Sequence, residues 1–407
     1  MGRAAGRSEE ADIALLEGSG MREPLAIALR TVGVRLETWK LAQLHHRPGA
    51  GVTGIYEVSY DGGPPGTLTD YLCATTASVP ADAATVVRLR AGDRQLTIWR
   101  HPADPMLPGL PWACDGAAVA TELFGRPGEV ASLRTLSYRP LRRAVLLAEL
   151  RGTRIYLKAV RAQQAELLWT RHRMLADAGL PVAVPLGDWH RSVVALSELG
   201  GEPLAELFMA DGAAQLDPHE VIDLLGRLPA GVKSLPSRPA WALRSADYAR
   251  AAAAALPQAK GRIAVLADTI SALLPKTDAG PVVPSHGDLY EANLLVVGSR
   301  ITGLLDLDSL GPGHLVDDLA CFLGHLAVLP ALHPGYVHVP AAVDRFAGVF
   351  DGAVDPAALR LRAAGVALSL VAGAKTHDGG SWVPGAMLRL AAAEKLAAEG
   401  AGLIRGR

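Results

Sequence analysis

Hydrophobic and polar positions change their period twice along this chain. Residues 11–32 form an Ala/Leu-rich stretch that predicts a helix, and the first ten or so residues lie outside the expected fold. Short apolar runs then alternate with polar residues at 34–43, 53–60, 67–76 and 84–100, and these read as strands. The last of them carries its own turn, Ala91-Gly92-Asp93-Arg94, and predicts a hairpin. The segment HPADPMLPGLPW at 101–112 is rich in proline, which excludes regular structure and predicts a rigid connector. A second strand-rich stretch follows at 131–137, 143–151 and 153–160. After a helical segment at 162–177 comes a hydrophobic strand at 192–197. Beyond residue 202 the pattern is mainly helical, at 203–210, 218–228, 241–275, 314–328, 341–349, 356–374 and 383–400. Two β-rich pieces followed by a helical piece predict an α+β protein rather than a doubly wound parallel sheet.

Composition narrows this picture. The 407 residues are half hydrophobic and one-fifth charged, with a formal net charge of -1. That length supports two or three packed units. Near neutrality argues against a nucleic-acid partner, which calls for a basic face. Cys73, Cys114 and Cys321 lie far apart, with neither metal-ligand spacing nor a disulfide framework, so a reducing, cytoplasmic setting is expected. The N-terminus lacks the apolar core of a secretory signal. The apolar runs at 319–332 and 363–372 read as buried helices, not membrane spans, and no membrane partner is expected.

Candidate chemistry concentrates in one acidic segment, SHGDLYEANLLVVGSRITGLLDLDSLGPGHLVDDLA, at 285–320. NLLVV (293–297) and ITGLL (301–305) flank Gly298-Ser299-Arg300 and predict a hairpin. A loop at Ser299-Arg300 would place Asn293 opposite Asp306, and a shift of one would place it opposite residue 305. Either register sets the amide and the carboxylate at the same open end, where opposed side chains lie about 5 Å apart. An amide oxygen and a carboxylate can share a hard cation such as Mg2+ there, or simply cap two strand ends. Asp288 follows His286-Gly287 in a segment expected to be a loop, since Pro284 and Gly287 break regular structure, and it lies five residues before Asn293. A loop carboxylate beside a metal clamp is placed to receive a hydroxyl proton in phosphoryl transfer.

HGDLYEANLL followed by ITGLLDLDSLGPGHLVDDLA resembles the catalytic core of the aminoglycoside phosphotransferase/choline kinase-like superfamily. The resemblance covers roughly residues 130–400. It implies the two-lobed protein-kinase-like fold, with residues 1–125 as an additional β-rich cap. Residues 126–200 would form the N-lobe and 201–407 the helical C-lobe. Such a cap also occurs in the maltokinase-like and glucosamine-kinase-like branches. Carried over residue by residue, the resemblance implies Asp288 as catalytic base, Asn293 and Asp306 as magnesium ligands, and Asp318 as acceptor of hydrogen bonds from the catalytic loop. His286 would pack within that loop. Asp308 is open between a second metal, the acceptor and solvent, while Glu291 and Asp317 are expected to be surface charges.

On the nucleotide side, the resemblance places Lys158, in TRIYLKAV, on the ATP phosphates. Glu166 would be its acidic partner, with Glu149 as a fallback. SVVALSELGG resembles the hinge, where backbone near Glu198 and Gly200 would meet adenine. SYRPLRRAVLL lacks the glycine-rich phosphate loop of protein kinases, and Arg142 or Arg143 is a candidate phosphate contact. The expected activity is ATP-dependent transfer of the γ-phosphate to a hydroxyl of a small molecule, with ATP and Mg2+ as cofactors. A sugar or amino sugar is the first choice of acceptor, and an aminoglycoside or other antibiotic the second. His377, Asp378 and Trp382 are candidates for contacting it. A non-catalytic nucleotide-binding pseudokinase is the alternative from another class.

Overall fold

A computed structural model describes residues 3–46, 51–61, 67–83, 85–91, 94–374 and 382–406. The chain divides into two compact units, Met1–Trp169 with Pro185–Glu198, and Thr170–Val184 with Leu199–Arg407.

The first unit opens with helices α1 (Arg3–Glu17) and α2 (Arg22–Arg30), so regular structure begins earlier than the apolar pattern predicts. Five antiparallel strands follow: β1 (Leu36–His46), β2 (Val52–Asp61), β3 (Thr67–Thr75), β4 (Val86–Ala91) and β5 (Arg94–Arg100). They are arranged in the order β1-β2-β3-β5-β4. Strand periodicity gives this sheet two apolar faces. Tyr56, Val58, Leu72 and Ile98 pack with Leu16, Met21, Leu25 and Leu29 of the helical segment. Ile55, Cys73 and Trp99 point the other way, into a cluster that also holds Leu141 and Tyr138.

Part of the proline-rich connector is helical after all. Helix α3 (Leu110–Ala113) accommodates Pro111 in its first turn, where a missing N–H loses nothing. Helix α4 (Gly116–Glu122) has no counterpart in the predicted elements and is capped by Asp115, whose carboxylate accepts from the Ala117 and Ala118 N–H groups. The second sheet runs β6 (Ser132–Arg139), β7 (Arg143–Leu150), β8 (Thr153–Val160) and β9 (Val193–Ser197), antiparallel and in that order. Ala144, Leu146, Ile155, Leu157 and Ala159 bury one face against Leu110, Trp112 and Val119. The long helix α5 (Ala162–Asp177) follows β8, with the predicted limits.

The second unit is built on helices around one apolar core. It contains α6 (Leu204–Ala210), α7 (His219–Gly226), α8 (Ser245–Ala255), α9 (Lys260–Leu273), α10 (Leu315–Leu332), α11 (Val339–Phe350), α12 (Pro356–Val371) and α13 (Trp382–Arg405). The predicted 241–275 helix is divided: Pro257 removes a backbone donor, and a 3-10 turn at Pro257–Ala259 separates α8 from α9. Helix α10 has the length and apolarity of a membrane span, exceeding the run predicted for it, but most of it is buried among α11, α12 and α13 as a core helix. Short strands complete the unit. They are β10 (Glu202–Pro203), β11 (Val282–Ser285), β12 (Leu294–Val297), β13 (Arg300–Leu304) and β14 (Gly311–His314), with β10-β12-β13 forming one sheet and β11-β14 another.

Candidate active site

The acidic segment folds into a loop, a hairpin and a helix start within the second unit. β12 and β13 pair antiparallel, with Leu294 opposite Leu304 and Val297 opposite Arg300. The tight loop is therefore Gly298-Ser299, and a bulge between Leu295 and Val296 shifts the register by one. Asn293 lands opposite Leu305, whose N–H donates to the Asn293 carbonyl at 2.8 Å. This is the second of the two expected registers. The next residue, Asp306, has φ 55° and ψ 62°, left-handed values that a non-glycine residue adopts only under local constraint.

Asn293 is buried, and its Nδ2 donates to the Asp288 carbonyl at 2.9 Å. That bond ties the loop bearing Asp288 to the hairpin and leaves the amide oxygen as the acceptor side of Asn293. The oxygen and the half-buried Asp306 carboxylate, both hard donors, suit Mg2+ in kind. The loop itself hangs from Asp318, in the first turn of α10. The His286 N–H donates to Asp318 Oδ2 at 2.9 Å and the Gly287 N–H to Oδ1 at 2.7 Å. The Ser285 hydroxyl donates as well. Asp318 is fully enclosed, and burial pushes its pKa up to about 7 against the pull of these bonds. Gly287 sits at φ +79°, and a Cβ there would meet the Ser309 carbonyl oxygen at 2.6 Å, so the loop requires glycine at this point. His286 is buried with its Nε2 on the Leu305 carbonyl at 2.9 Å, and burial depresses its pKa, so it is a neutral, structural imidazole.

Two expectations fail here. Glu291 is not a surface charge. It is 4% exposed on the 3-10 turn that presents Asn293, one carboxylate oxygen has no partner, and burial pushes its pKa up to about 7. Asp317 is not one either: it forms a largely buried ion pair with Arg362 of α12. Glu291 lies in a short 3-10 turn and Asp317 in the first turn of α10, where a single polar side chain gives no periodic signal of burial. Asp308 is half-buried, and its carbonyl accepts from Arg171 at 2.6 Å.

Around Asp288 lie aromatic groups that the sequence pattern did not single out. Tyr290 stacks on His325 of α10, with ring centroids 4.3 Å apart and planes at 21°. Trp241 stacks on Tyr248 of α8 at 5.8 Å and 29°, and Arg244 covers the Tyr248 ring. Burial raises the pKa of Tyr248, and the Asp288 carboxylate adds to the rise. Trp382, by contrast, packs on the helical core. His377 and Asp378 lie outside the described residues.

In the first unit, Lys158 is buried at 8% exposure on β8, paired with Val145 of β7 and Val194 of β9. Its side chain alternates with Leu157 and Ala159, so it faces away from α3 and α4. Glu166 is exposed on α5. Glu149 and Glu198 both approach Arg154, at 3.6 and 2.7 Å. β9 ends just before Glu198, and in the second unit the Gly200 carbonyl accepts from the Thr302 hydroxyl at 2.9 Å. The β6–β7 turn, which holds Arg142 and leads into Arg143 at the start of β7, is fixed by Leu141, whose N–H donates to Asp104 at 2.8 Å.

The family model described as a phosphotransferase enzyme family matches residues 144–349, half of the chain. Comparison with curated proteins finds no match. Among solved structures, an aminoglycoside phosphotransferase in a ternary complex with ADP and hygromycin B is 17% identical, with a TM-score of 0.50, over 70% of this chain and 99% of that one. A choline/ethanolamine kinase family protein from Mesorhizobium loti is 16% identical, with a TM-score of 0.50, over 72% of this chain and 98% of that one. The fold is therefore the expected kinase-like one, and the chain belongs to the phosphotransferase enzyme family.

Proposed function

We propose that the chain transfers the γ-phosphate of ATP to a hydroxyl of a sugar or amino sugar, with Asp288 as the base that orients the hydroxyl and takes its proton. The observation that carries this reading is the bond from Asn293 Nδ2 to the Asp288 carbonyl, which fixes the carboxylate-bearing loop to the hairpin of oxygen donors. In this reading Asn293 and Asp306 hold Mg2+, which when bound neutralises charge on the phosphates. Lys158, buried on its strand, holds phosphate oxygens, with Glu166 as its partner on α5. Backbone at Glu198 and Gly200 receives the adenine. Residues 1–125 act as a cap, 126–200 as the N-lobe and 201–407 as the C-lobe. Catalysis is then chiefly positioning and charge neutralisation.

The acceptor assignment rests on the Trp241–Tyr248 and Tyr290–His325 pairs, whose flat faces suit the apolar side of a sugar ring. An aminoglycoside or related antibiotic is the second reading, supported by the hygromycin B complexes among the structural neighbours. Initial rates over a panel of sugars, amino sugars and aminoglycosides with Mg-ATP separate the two. Asp288→Ala should lower kcat by about 100-fold to 10,000-fold with ATP binding retained. Full activity in that variant would sink the mechanism. A panel in which only aminoglycosides turn over would replace the sugar assignment by the antibiotic one.

A further inference from the structure

Beside the oxygen donors lies a second group of ligand atoms with different chemistry. Cys321 and His325 are four residues apart on α10 and so project from one face of the helix. Asp288 reaches them from the loop, and the Cys321 thiol donates to Asp288 Oδ1 at 3.9 Å. One ligand atom each from Asp288, Cys321 and His325 lie within 4.8 Å of one another. Cys321 is buried and the other two are half-buried, so the cluster has one open side. Stacking on Tyr290 holds the plane of the His325 ring, as outer groups do for metal-bound imidazoles.

Sulfur, nitrogen and oxygen at these separations match a thiophilic, tetrahedral cation rather than magnesium. Zn2+ sits about 2.0–2.3 Å from such ligands, which places them roughly 3.3–3.8 Å apart. The three atoms need to close by about 1.5 Å at most to meet that geometry, and a water can take the fourth, open position. We propose that Asp288, Cys321 and His325 form a binding site for Zn2+ whose occupation inhibits the kinase. Binding replaces the thiol proton with the metal and releases it to solvent, with no change of oxidation state. Inhibition follows because Zn2+ takes the carboxylate needed as base, and this half of the inference rests on the role proposed for Asp288.

The test uses the full chain and reads binding separately from activity. Co2+ titrated into the wild-type protein should produce a thiolate-to-cobalt charge-transfer band in the near ultraviolet, removed by Zn2+. The band should vanish in Cys321→Ser and persist in Cys114→Ser, which controls for the second thiol–imidazole contact at Cys114 and His101. His325→Gln, with Cys321 intact, should weaken Zn2+ binding by about tenfold or more. Circular dichroism establishes that each variant is folded. Absence of the band in the wild-type protein, or its persistence in Cys321→Ser, would overturn the site. In the activity assay, Zn2+ at saturating occupancy should abolish phosphotransfer under excess Mg2+. A charge-transfer band with undiminished phosphotransfer would overturn the inhibition and the assignment of Asp288 together, whereas inactivity without zinc would count against the kinase reading alone.

Discussion

Each unit of the molecule contains a buried aspartate that holds loop backbone. In the second unit Asp318 accepts from the His286 and Gly287 N–H groups and from Ser285. In the first, Asp104 accepts from the Met106 and Leu141 N–H groups at 2.8 Å each and from the Tyr138 hydroxyl at 2.7 Å. Both carboxylates are almost fully enclosed, and in both burial raises the pKa against the hydrogen bonds. The physical device is the same. What it holds is different: Asp318 fixes the loop of the proposed base, whereas Asp104 fixes the connector and the β6–β7 turn to the joint between two sheets. Buried hydrogen-bonded carboxylates thus mark points of backbone fixation, and function depends on which backbone is fixed.

The largest expected effect comes from Asp318→Ala, which leaves two backbone donors without an acceptor. Stability should fall by about 2–4 kcal/mol in denaturant unfolding. Displacement of the loop should also lower kcat at least about 100-fold, since errors near 1 Å in position carry that consequence. Asp104→Ala removes the same number of backbone bonds and should lower stability by a similar amount, about 2–4 kcal/mol. Its kcat should stay within about threefold of wild type, because its bonds hold the connector and the β6–β7 turn, not the loop of the proposed base. Equal losses of kcat in the two variants would erase the distinction drawn between them.

A pH series separates burial from hydrogen bonding at Asp318. With a folded value of about 7, above the ordinary carboxylate range, the native chain keeps a proton that the unfolded chain releases near pH 4. Stability from this group is then highest below the unfolded value and declines as pH rises through the folded one. Asp318→Asn should remove that decline, so wild type should lose ground to the variant between about pH 4.5 and pH 7.5 in unfolding free energy. A constant difference across the window would mean that the carboxylate is ionised in the native state throughout.

The same comparison explains what could be read from sequence. The strands and α5 were legible because alternation and helical period are local consequences of burial, as in Leu146, Ile155 and Leu157 against Lys158. Asp288, Asn293, Asp306 and Asp318 were legible because they occur together at fixed spacing in one segment. Asp104 was not, although its bonds are as good, because its partners at 138 and 141 are distant in sequence and carry no motif. Glu291 and Asp317 were misjudged for a related reason: their burial comes from helices packed around them, not from local pattern. The Trp241–Tyr248 and Tyr290–His325 pairs escaped because tertiary packing, not a sequence pattern, stacks Tyr290 on His325 and brings Tyr248 near Asp288.

The finest test removes only the third, side-chain donor from each carboxylate. Tyr138→Phe deletes the hydroxyl that donates to Asp104 and also accepts from Trp99 Nε1 at 3.3 Å. One buried donor loses its acceptor while both backbone bonds to Asp104 survive, so stability should drop by about 1–2 kcal/mol with kcat unchanged. Ser285→Ala deletes the matching donor from Asp318 and leaves both backbone bonds to its carboxylate in place. Its stability loss should be smaller, about 0.5–1.5 kcal/mol. Its kcat should nevertheless fall by a few-fold, because a less constrained Asp318 carboxylate lets the Gly287–Asp288 backbone drift. Thermal unfolding and initial rates on the two variants give four numbers. A larger rate effect from Ser285→Ala, despite its smaller stability effect, would tie Asp318 to the chemistry and Asp104 to the scaffold; the reverse order would make both aspartates scaffold alone.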